Sequence, residues 1–399
     1  MKNITLYALC GMILLALAAC IFVMTGLHTP DSTVVRETVS AAEQVTLLAQ
    51  AEKTQISEIQ IPTETPAAVS TENPTLEPTR VSPDDYFRSN TSQESYASWI
   101  HKLSGEEPVT VNGTETTIKT RYSYAMFSGQ TDAQANPFLL QTLQEMLPGI
   151  QIENESYQYQ DGSGMNTWYN IVVTFPGTVH PDEQILYTAH YDSCVAFEGD
   201  PMTYAPGAND NGTGVATLLE ALKSFKDMNF EKTLKVIFFS GEENFFQGSK
   251  AYIAAHKNDN IKAVVNMDMF GADKDNDRCF EIHCGKLPAS DQVGQIFKQA
   301  LADHQINMTY DYFTYIVRSG KYPLSGDQTS FWDAGIPCIA IMENFSSDNT
   351  PGGCQLVEDD TDTWHLPADT YANVNMSYAF DISLSGTYTI LNLAGASMK

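Results

Sequence analysis

Short apolar runs alternate with segments of helical periodicity from residue 95 to the C-terminus. Each apolar run is at most seven residues long. Several are apolar almost throughout, which is typical of strands that are buried on both faces of a sheet. The predicted strands are Tyr169–Phe175, Ile185–Ala189, Leu234–Phe239, Ala263–Met267 and Ile336–Met342.

Predicted helices fill the intervals around these strands. They cover Asn136–Met146, Thr213–Lys226, Gln247–His256, Ser290–His304 and Asn375–Leu393. Strands that alternate with helices indicate βαβ units, whose helices cover the faces of a parallel sheet. We therefore predict an α/β fold for residues 95–399: a single-domain, mostly parallel twisted sheet flanked by helices on both faces.

The first 94 residues follow a different pattern. Residues 4–27 carry no charged side chain and are long enough to span a bilayer, so residues 1–27 are predicted to be a signal anchor or a lipoprotein leader. Leu17-Ala18-Ala19-Cys20 resembles a lipobox, but the apolar run continues past Cys20, which favours the uncleaved anchor. Residues 28–94 are rich in Pro, Thr and Glu and are predicted to be a disordered linker. We expect the remainder to be exported and to reach a membrane only through this N-terminal segment.

Charge composition excludes two classes of partner. The chain has 22 Lys+Arg against 49 Asp+Glu, which gives a formal net charge of −27. Nucleic-acid binding and polybasic membrane docking both need clustered basic residues, and the sequence has no such cluster. Most of the acidic excess is expected to lie on a solvated surface.

Five cysteines lie outside the apolar segment, at positions 194, 279, 284, 338 and 354. An exported chain can form disulfides, but an odd number leaves at least one free thiol. Cys279 and Cys284 are close enough in sequence to pair, as are Cys338 and Cys354, and the pairing stays open. No CxxC spacing indicates a cysteine-ligated metal site.

Four polar clusters stand where predicted strands end or helices begin. They are His190-Tyr191-Asp192, the Gly-Ala-Asn-Asp-Asn-Gly-Thr-Gly segment at 207–214, Ser240-Gly241-Glu242-Glu243 and Asp268. Sites in open α/β sheets form beyond the carboxyl ends of the strands, so these side chains are expected at one edge. Imidazole and carboxylate groups are zinc ligands, and one carboxylate can bridge two metal ions. A further carboxylate beside such ligands can accept a proton from water.

Each cluster alone has an ordinary structural interpretation. The glycine-rich segment reads as a turn, and Glu242-Glu243 reads as a solvated loop. Asp268 is harder to explain in this way, because an unpaired carboxylate among Met and Phe side chains is costly. The joint occurrence of all four clusters in this order favours a metal site.

Together the four motifs resemble the M28 family of zinc peptidases, of the bacterial leucine aminopeptidase and aminopeptidase Y type. The resemblance spans about residues 95–399. It implies a phosphorylase/hydrolase-like fold with two zinc ions per chain. It further implies that His190 and Asp268 are ligands of the first zinc, that Asp210 bridges the two and that Glu243 is a ligand of the second. Glu242 is then the general base, and Asp192 orients His190.

The resemblance implies one more histidine ligand, after Asp268 in sequence. His283 lies in an alternating strand pattern and His304 ends an amphipathic helix, whereas His365 lies in a loop before the last helix, where the family has this ligand. The resemblance also suggests a non-proline cis peptide at Asp210–Asn211. Met269 and Phe331 are candidates for the substrate pocket.

The implied activity is hydrolysis of the first peptide bond of peptides that have a free N-terminus, and the sequence leaves the oligomeric state unknown. Three alternatives remain. A glutaminyl-peptide cyclotransferase would use one zinc on the same fold, although the Asp-Asn-Gly-Thr-Gly turn is closer to the two-metal peptidases. A carboxypeptidase-type relative would need a basic pocket, which the low Lys/Arg content disfavours. A non-catalytic binding domain would not need the full ligand set with Glu242.

Overall fold

The computed structural model describes residues 81–319, 322–345, 353–354 and 362–399. The predicted signal anchor and all but the last fourteen residues of the predicted linker, 28–80, lie outside the described residues. Among the helices that are described, none is both long enough and apolar enough to cross a membrane.

The ordered region begins before the predicted boundary at residue 95. Helix α1 spans Pro83–Asn90 and helix α2 spans Gln93–Leu103. The Ser82 hydroxyl caps α1 by accepting a hydrogen bond from the Asp85 amide at 3.0 Å, and proline occupies the first turn. Phe87 is fully buried in the core. The prediction of linker up to residue 94 is therefore wrong over these residues, because Ser, Pro and Asp are common both in linkers and at helix N-termini.

Nine strands form the main sheet, in the order β3-β4-β6-β5-β7-β12-β8-β9, with β13 paired to β6. The strands are β3 Gln151–Asp161, β4 Gly164–Phe175, β5 Gly177–His190, β6 Met228–Phe239, β7 Asn260–Met267, β8 Cys279–His283, β9 Thr309–Phe313, β12 Cys338–Glu343 and β13 Ala396–Met398. Two small hairpins lie outside it: β1 Val109–Val111 with β2 Thr114–Thr116, and β10 Arg318–Ser319 with β11 Tyr322–Pro323.

The centre of the sheet is parallel. Strands β6, β5, β7 and β12 run in one direction, so their carboxyl ends meet at one edge. Strand β4 joins β6 antiparallel, and β8 joins β12 antiparallel. Each of the five predicted strands overlaps one observed strand; in chain order these are β4, β5, β6, β7 and β12. The long edge strand β3 was not predicted, because its residues are mostly polar and its burial is partial at best.

Helices cover both faces of the sheet, which confirms the predicted fold class. Along β5, Ile185 and Tyr187 face one layer and Leu186 faces the other, as the two-residue period of a strand requires. The first layer contains α1, α2, α4 Ala135–Met146, α5 Gly212–Phe225, α7 Pro288–Asp303 and α9 Met376–Ala394. The second layer contains α6 Gln247–Ala255 and α8 Asp327–Asp333. A four-residue helix, α3 Ser123–Met126, lies before α4.

One disulfide joins Cys279, at the start of β8, to Cys354, with 5.2 Å between the Cα atoms. Neither pairing of cysteines close in sequence forms. The extended strand β8 separates Cys279, its first residue, from Cys284, which follows its last, and Cys354 is bonded to Cys279 rather than to Cys338. Cys194, Cys284 and Cys338 are free thiols. The bond closes a loop across 75 residues of sequence and stabilises the domain, chiefly by restricting the unfolded chain.

Candidate metal centre

The predicted site residues meet where the central parallel strands end. His190 is the last residue of β5, Asp268 follows β7 directly, and Glu242 and Glu243 lie in the loop after β6. Asp210 lies in the turn that leads into α5. Each strand end delivers its side chain to the same edge because these strands are parallel.

Asp210 lies between two histidine–carboxylate pairs. Its Oδ1 is 3.2 Å from Nε2 of His190, which is also 3.1 Å from Oδ1 of Asp268. Its Oδ2 is 3.3 Å from Nε2 of His365, which is also 2.9 Å from Oε2 of Glu243. The two oxygens of one carboxylate thus face two separate donor sets.

His365, rather than His283 or His304, completes the site. His365 lies in the loop before α9, and its backbone is in the left-handed region, with φ 56°. Its carbonyl accepts a hydrogen bond from the Ala196 amide at 3.0 Å, which joins this loop to the segment after β5. His283 instead contacts Glu281 within β8 at 2.7 Å, and His304 contacts Asp84 at 3.1 Å.

Asp192 supports both His190 and the glutamate pair. Its backbone oxygen lies 3.2 Å from Nδ1 of His190, and its carboxylate lies 3.5 Å from the same atom. The carboxylate also accepts hydrogen bonds from the amides of Glu242, at 3.2 Å, and Glu243, at 3.3 Å. One buried side chain therefore fixes the positions of β5 and of the loop after β6 relative to each other.

The turn that carries Asp210 is held by a residue that sequence reasoning missed. The Asp369 carboxylate accepts the amide of Asn209 at 2.7 Å and the amide of Asp210 at 2.9 Å. The predicted cis peptide at Asp210–Asn211 is present. Asn211 caps α5 by accepting the Gly214 amide, and it donates to the Met267 carbonyl at 2.8 Å, next to Asp268. Asp369 lies outside the four motifs, so it gave no sequence signal for this role.

Arg121 is the second residue that sequence reasoning missed. Its guanidinium is fully buried and donates to the carbonyl groups of Leu103, Tyr191, Pro206 and Gly207, at 2.6–2.9 Å. Burial lowers the pKa of Arg121 to about 10, so it remains charged at neutral pH. It therefore joins the segment after β5 to the start of the glycine-rich turn beneath the carboxylates. A single basic residue outside any motif gave no basis for predicting this contact.

The loop after β6 depends on a glycine. Gly241 has φ 69°, and a Cβ there would lie 2.8 Å from the Tyr157 hydroxyl and 2.9 Å from the Trp168 ring. Tyr157 donates to the Ser240 carbonyl at 2.9 Å. The protruding β3–β4 hairpin thus supports the turn that presents Glu242 and Glu243.

Electrostatics favour positive charge beside Asp210. Burial alone lowers the pKa of His190, but the charges and hydrogen bonds of Asp268, Asp192 and Asp210 together outweigh it and raise this pKa well above the usual value. For His365, burial again lowers the pKa, and the charges and hydrogen bonds of Glu243 and Asp210 together outweigh it, so that this pKa is also raised well above the usual value. Burial raises the pKa of Asp210, but contacts with the two imidazoles outweigh it and hold this pKa below its usual range.

The two glutamates differ from Asp210 in this respect. Burial raises the pKa of Glu242 well above its usual value, and neighbouring carboxylates add to the shift. Burial also raises the pKa of Glu243, although His365 opposes the shift. A cation between these donors would offset the repulsion among the carboxylates.

The donor set fits zinc. Imidazole nitrogens and carboxylate oxygens are its usual ligands besides thiolates. Donor atoms of His190, Asp210 and Glu243 all lie within 4.8 Å of one another. Oε1 of Glu243 is buried and has no hydrogen-bond partner within the part of the chain that the structure describes. Such an atom is costly to bury unless a cation or donor reaches it.

The two predicted pocket residues lie elsewhere. Phe331 is fully buried in the second layer, where its ring is 6.1 Å from that of Phe239, so it is a core residue. Met269 is only 3% exposed, and its carbonyl accepts the Glu343 amide at 2.7 Å. Neither side chain offers a surface to a substrate, because both are buried.

Comparisons with solved structures agree on the fold. The Legionella pneumophila LapA aminopeptidase aligns with a TM-score of 0.57 and 16% identity, covering 81% of this chain and 79% of LapA. The Porphyromonas gingivalis glutaminyl cyclase aligns with a TM-score of 0.54 and 18% identity, covering 76% of this chain and 99% of the cyclase. At such identities the likeness concerns the fold alone.

Sequence comparisons identify the family. A probable leucine aminopeptidase of Trichophyton verrucosum is 27% identical over 201 residues, covering 47% of this chain and 50% of that protein. A probable zinc metalloprotease of Pyrenophora tritici-repentis is 34% identical over 204 residues, covering 43% of this chain and 45% of that protein. The chain thus spans about half the length of the curated relatives it matches. Residues 170–383, more than half of the chain, match the sequence profile of Peptidase family M28, and the chain belongs to this family.

Proposed function

We propose that the protein is a two-zinc aminopeptidase, which hydrolyses the first peptide bond of peptides with a free N-terminus. The observation that carries this proposal is the position of Asp210, whose two carboxylate oxygens face two histidine–carboxylate pairs. His190 and Asp268 would hold one zinc, and His365 and Glu243 the other, with Asp210 shared. Family membership supports the choice of metal.

The roles of the chain's own groups follow from their positions. When bound, zinc polarises a carbonyl group and lowers the pKa of water. The Glu242 carboxylate, which is not among the contacts of Asp210, accepts a proton from the attacking water and returns it to the leaving amine. Asp192 keeps His190 and the Glu242 backbone in place during this transfer.

Confinement to the first residue depends on recognition of the free α-amine. In this proposal the amine binds beside Asp210 and Glu243, at the half of the centre that His365 completes. A peptide without a free N-terminus lacks the group that these carboxylates attract. Blocked peptides are therefore poor substrates in this proposal.

A panel of aminoacyl chromogenic substrates and their N-acetylated forms tests the activity. We expect hydrolysis of free aminoacyl substrates, loss of activity with a chelator, recovery on addition of zinc, and no hydrolysis of acetylated forms. A peptide beginning with Gln is the control for cyclase activity, which the cyclase-like fold would also permit. Ring closure of this peptide with an inert panel would contradict the proposal.

Glu242 provides the sharper test of mechanism. Replacement by Gln preserves the shape of the side chain but removes the proton acceptor, so we expect kcat to fall by about 10²–10⁴-fold. Zinc content, measured by inductively coupled plasma mass spectrometry, should stay close to that of the unaltered protein. Glu242→Asp, which keeps the carboxylate, should retain more activity than Glu242→Gln. Full activity in Glu242→Gln would eliminate Glu242 as the base.

We also propose that the domain is exported and held at a membrane by residues 1–27. The uncharged run at 4–27 supports this location, and so does the Cys279–Cys354 disulfide, because such bonds persist in oxidising compartments. In cell fractions, the full chain is expected with membranes, and its domain should be accessible to protease added outside intact spheroplasts. Recovery of the chain only from the cytosol would contradict this location.

A further inference from the structure

Aromatic side chains gather at the His365 end of the site. Trp364 stacks on the His365 ring, with 4.0 Å between ring centroids and 24° between planes. The Phe197 ring lies 5.8 Å from that of Trp364 and 6.1 Å from that of His365. Phe345 meets Trp364 edge to face at 5.3 Å. We call Phe197, Phe345 and Trp364 the aromatic wall.

Phe197 is exposed although its loop is fixed. The side chain is 69% exposed, so most of its surface is free to contact another molecule. The neighbouring Ala196 amide donates to the His365 carbonyl at 3.0 Å. A Cβ on Gly199 would lie 3.2 Å from Cγ of Pro367, so this segment packs closely against the His365 loop. The exposed ring is therefore held beside His365.

The wall borders one half of the proposed metal centre. Nε2 of His365 contacts Asp210 and Glu243, while the Trp364 ring stacks on the same imidazole and the Phe197 ring lies 6.1 Å from it. In the proposed function His365 and Glu243 would hold the second zinc, and the substrate's α-amine would bind beside them. The aromatic rings adjoin this half of the centre.

We propose that the aromatic wall binds the side chain of the substrate's N-terminal residue and selects aromatic residues there. This inference rests on the proposed aminopeptidase function. The α-ammonium group and the side chain leave the same carbon atom, so a side chain beside an ammonium group held near Glu243 reaches the wall. An aromatic side chain gains edge-to-face contacts with Phe197 and Trp364 that an aliphatic one lacks.

The test compares Phe197→Ala with the unaltered full-length, zinc-loaded protein on 4-nitroanilides of Phe, Leu and Ala. Because the ring is exposed, its removal opens no cavity in the core. We expect kcat/KM to fall about tenfold for the Phe substrate and less than twofold for the Ala substrate. Phe197→Leu should restore the Leu substrate to within twofold and the Phe substrate only in part.

Val179→Ala is the matched control. Val179 is 58% exposed and lies near the start of β5, at the opposite end of the strand from His190. This variant should match the unaltered protein on all three substrates. Zinc content of every variant is measured in parallel, so that a change in metal binding is separated from a change in selectivity.

Four results would overturn the inference. Equal losses on all three substrates would mean that the ring contacts the ammonium group or the backbone, and no loss at all would mean that it contacts no part of the substrate. The dipeptides Phe-Ala and Ala-Phe separate the two ends of the scissile bond, and a loss confined to Ala-Phe would place the wall beside the second residue. An unaltered protein that hydrolyses no aminoacyl substrate would refute the proposed function and this inference with it.

Discussion

The carboxylate of Asp210 lies between two imidazoles, each of which contacts a further carboxylate, and the rest of the structure depends on holding these groups together. Asp210, Glu242, Glu243 and Asp268 lie at one sheet edge, where burial and like charge oppose the ionisation of Glu242 and Glu243. His190 and His365 offset part of this repulsion, which is why their pKa values rise. The assembly would be more stable with cations between the donors.

The fold holds this arrangement mainly through strand pairing and a few buried side chains that bind backbone groups. Parallel strands β5, β6 and β7 end at the same edge, so backbone pairing alone aligns His190, the glutamate pair and Asp268. Buried Asp192 and Asp369 then bind backbone amides of the loops that carry Glu242, Glu243 and Asp210. Arg121 contributes a buried positive charge and donates four hydrogen bonds to carbonyl groups.

The sequence predicted the centre of the fold better than its borders. The five buried strands were visible because strands with neighbours on both faces are apolar throughout. Edge strand β3 was not visible in the sequence, because one of its sides is solvated and its sequence pattern is polar. Helix α1 was assigned to the linker, because apart from Phe87 its composition differs little from that of the Pro-rich segment before it. The Cys279–Cys354 pairing depends on tertiary structure, which cysteine spacing does not reveal.

The candidate site was predicted from motifs rather than from single residues. His190, Asp210, Glu242, Glu243 and Asp268 follow strands or open a helix, so topology predicts that they converge. His365 was chosen over His283 and His304 on family resemblance, and its ring does contact Asp210 and Glu243. Asp369 and Arg121 were missed because each acts through backbone groups far away in sequence. Phe331 was assigned to the substrate pocket because it is an apolar residue near a motif. Apolar residues in such positions lie more often in the core.

The central claim is that Asp210 is shared between two zinc ions. Anomalous diffraction from crystals of the zinc-loaded protein, recorded on both sides of the zinc absorption edge, tests it most directly. The account predicts two peaks that flank the Asp210 carboxylate, one beside His190 and Asp268 and the other beside His365 and Glu243. A single peak, or peaks that do not contact Asp210, would contradict it.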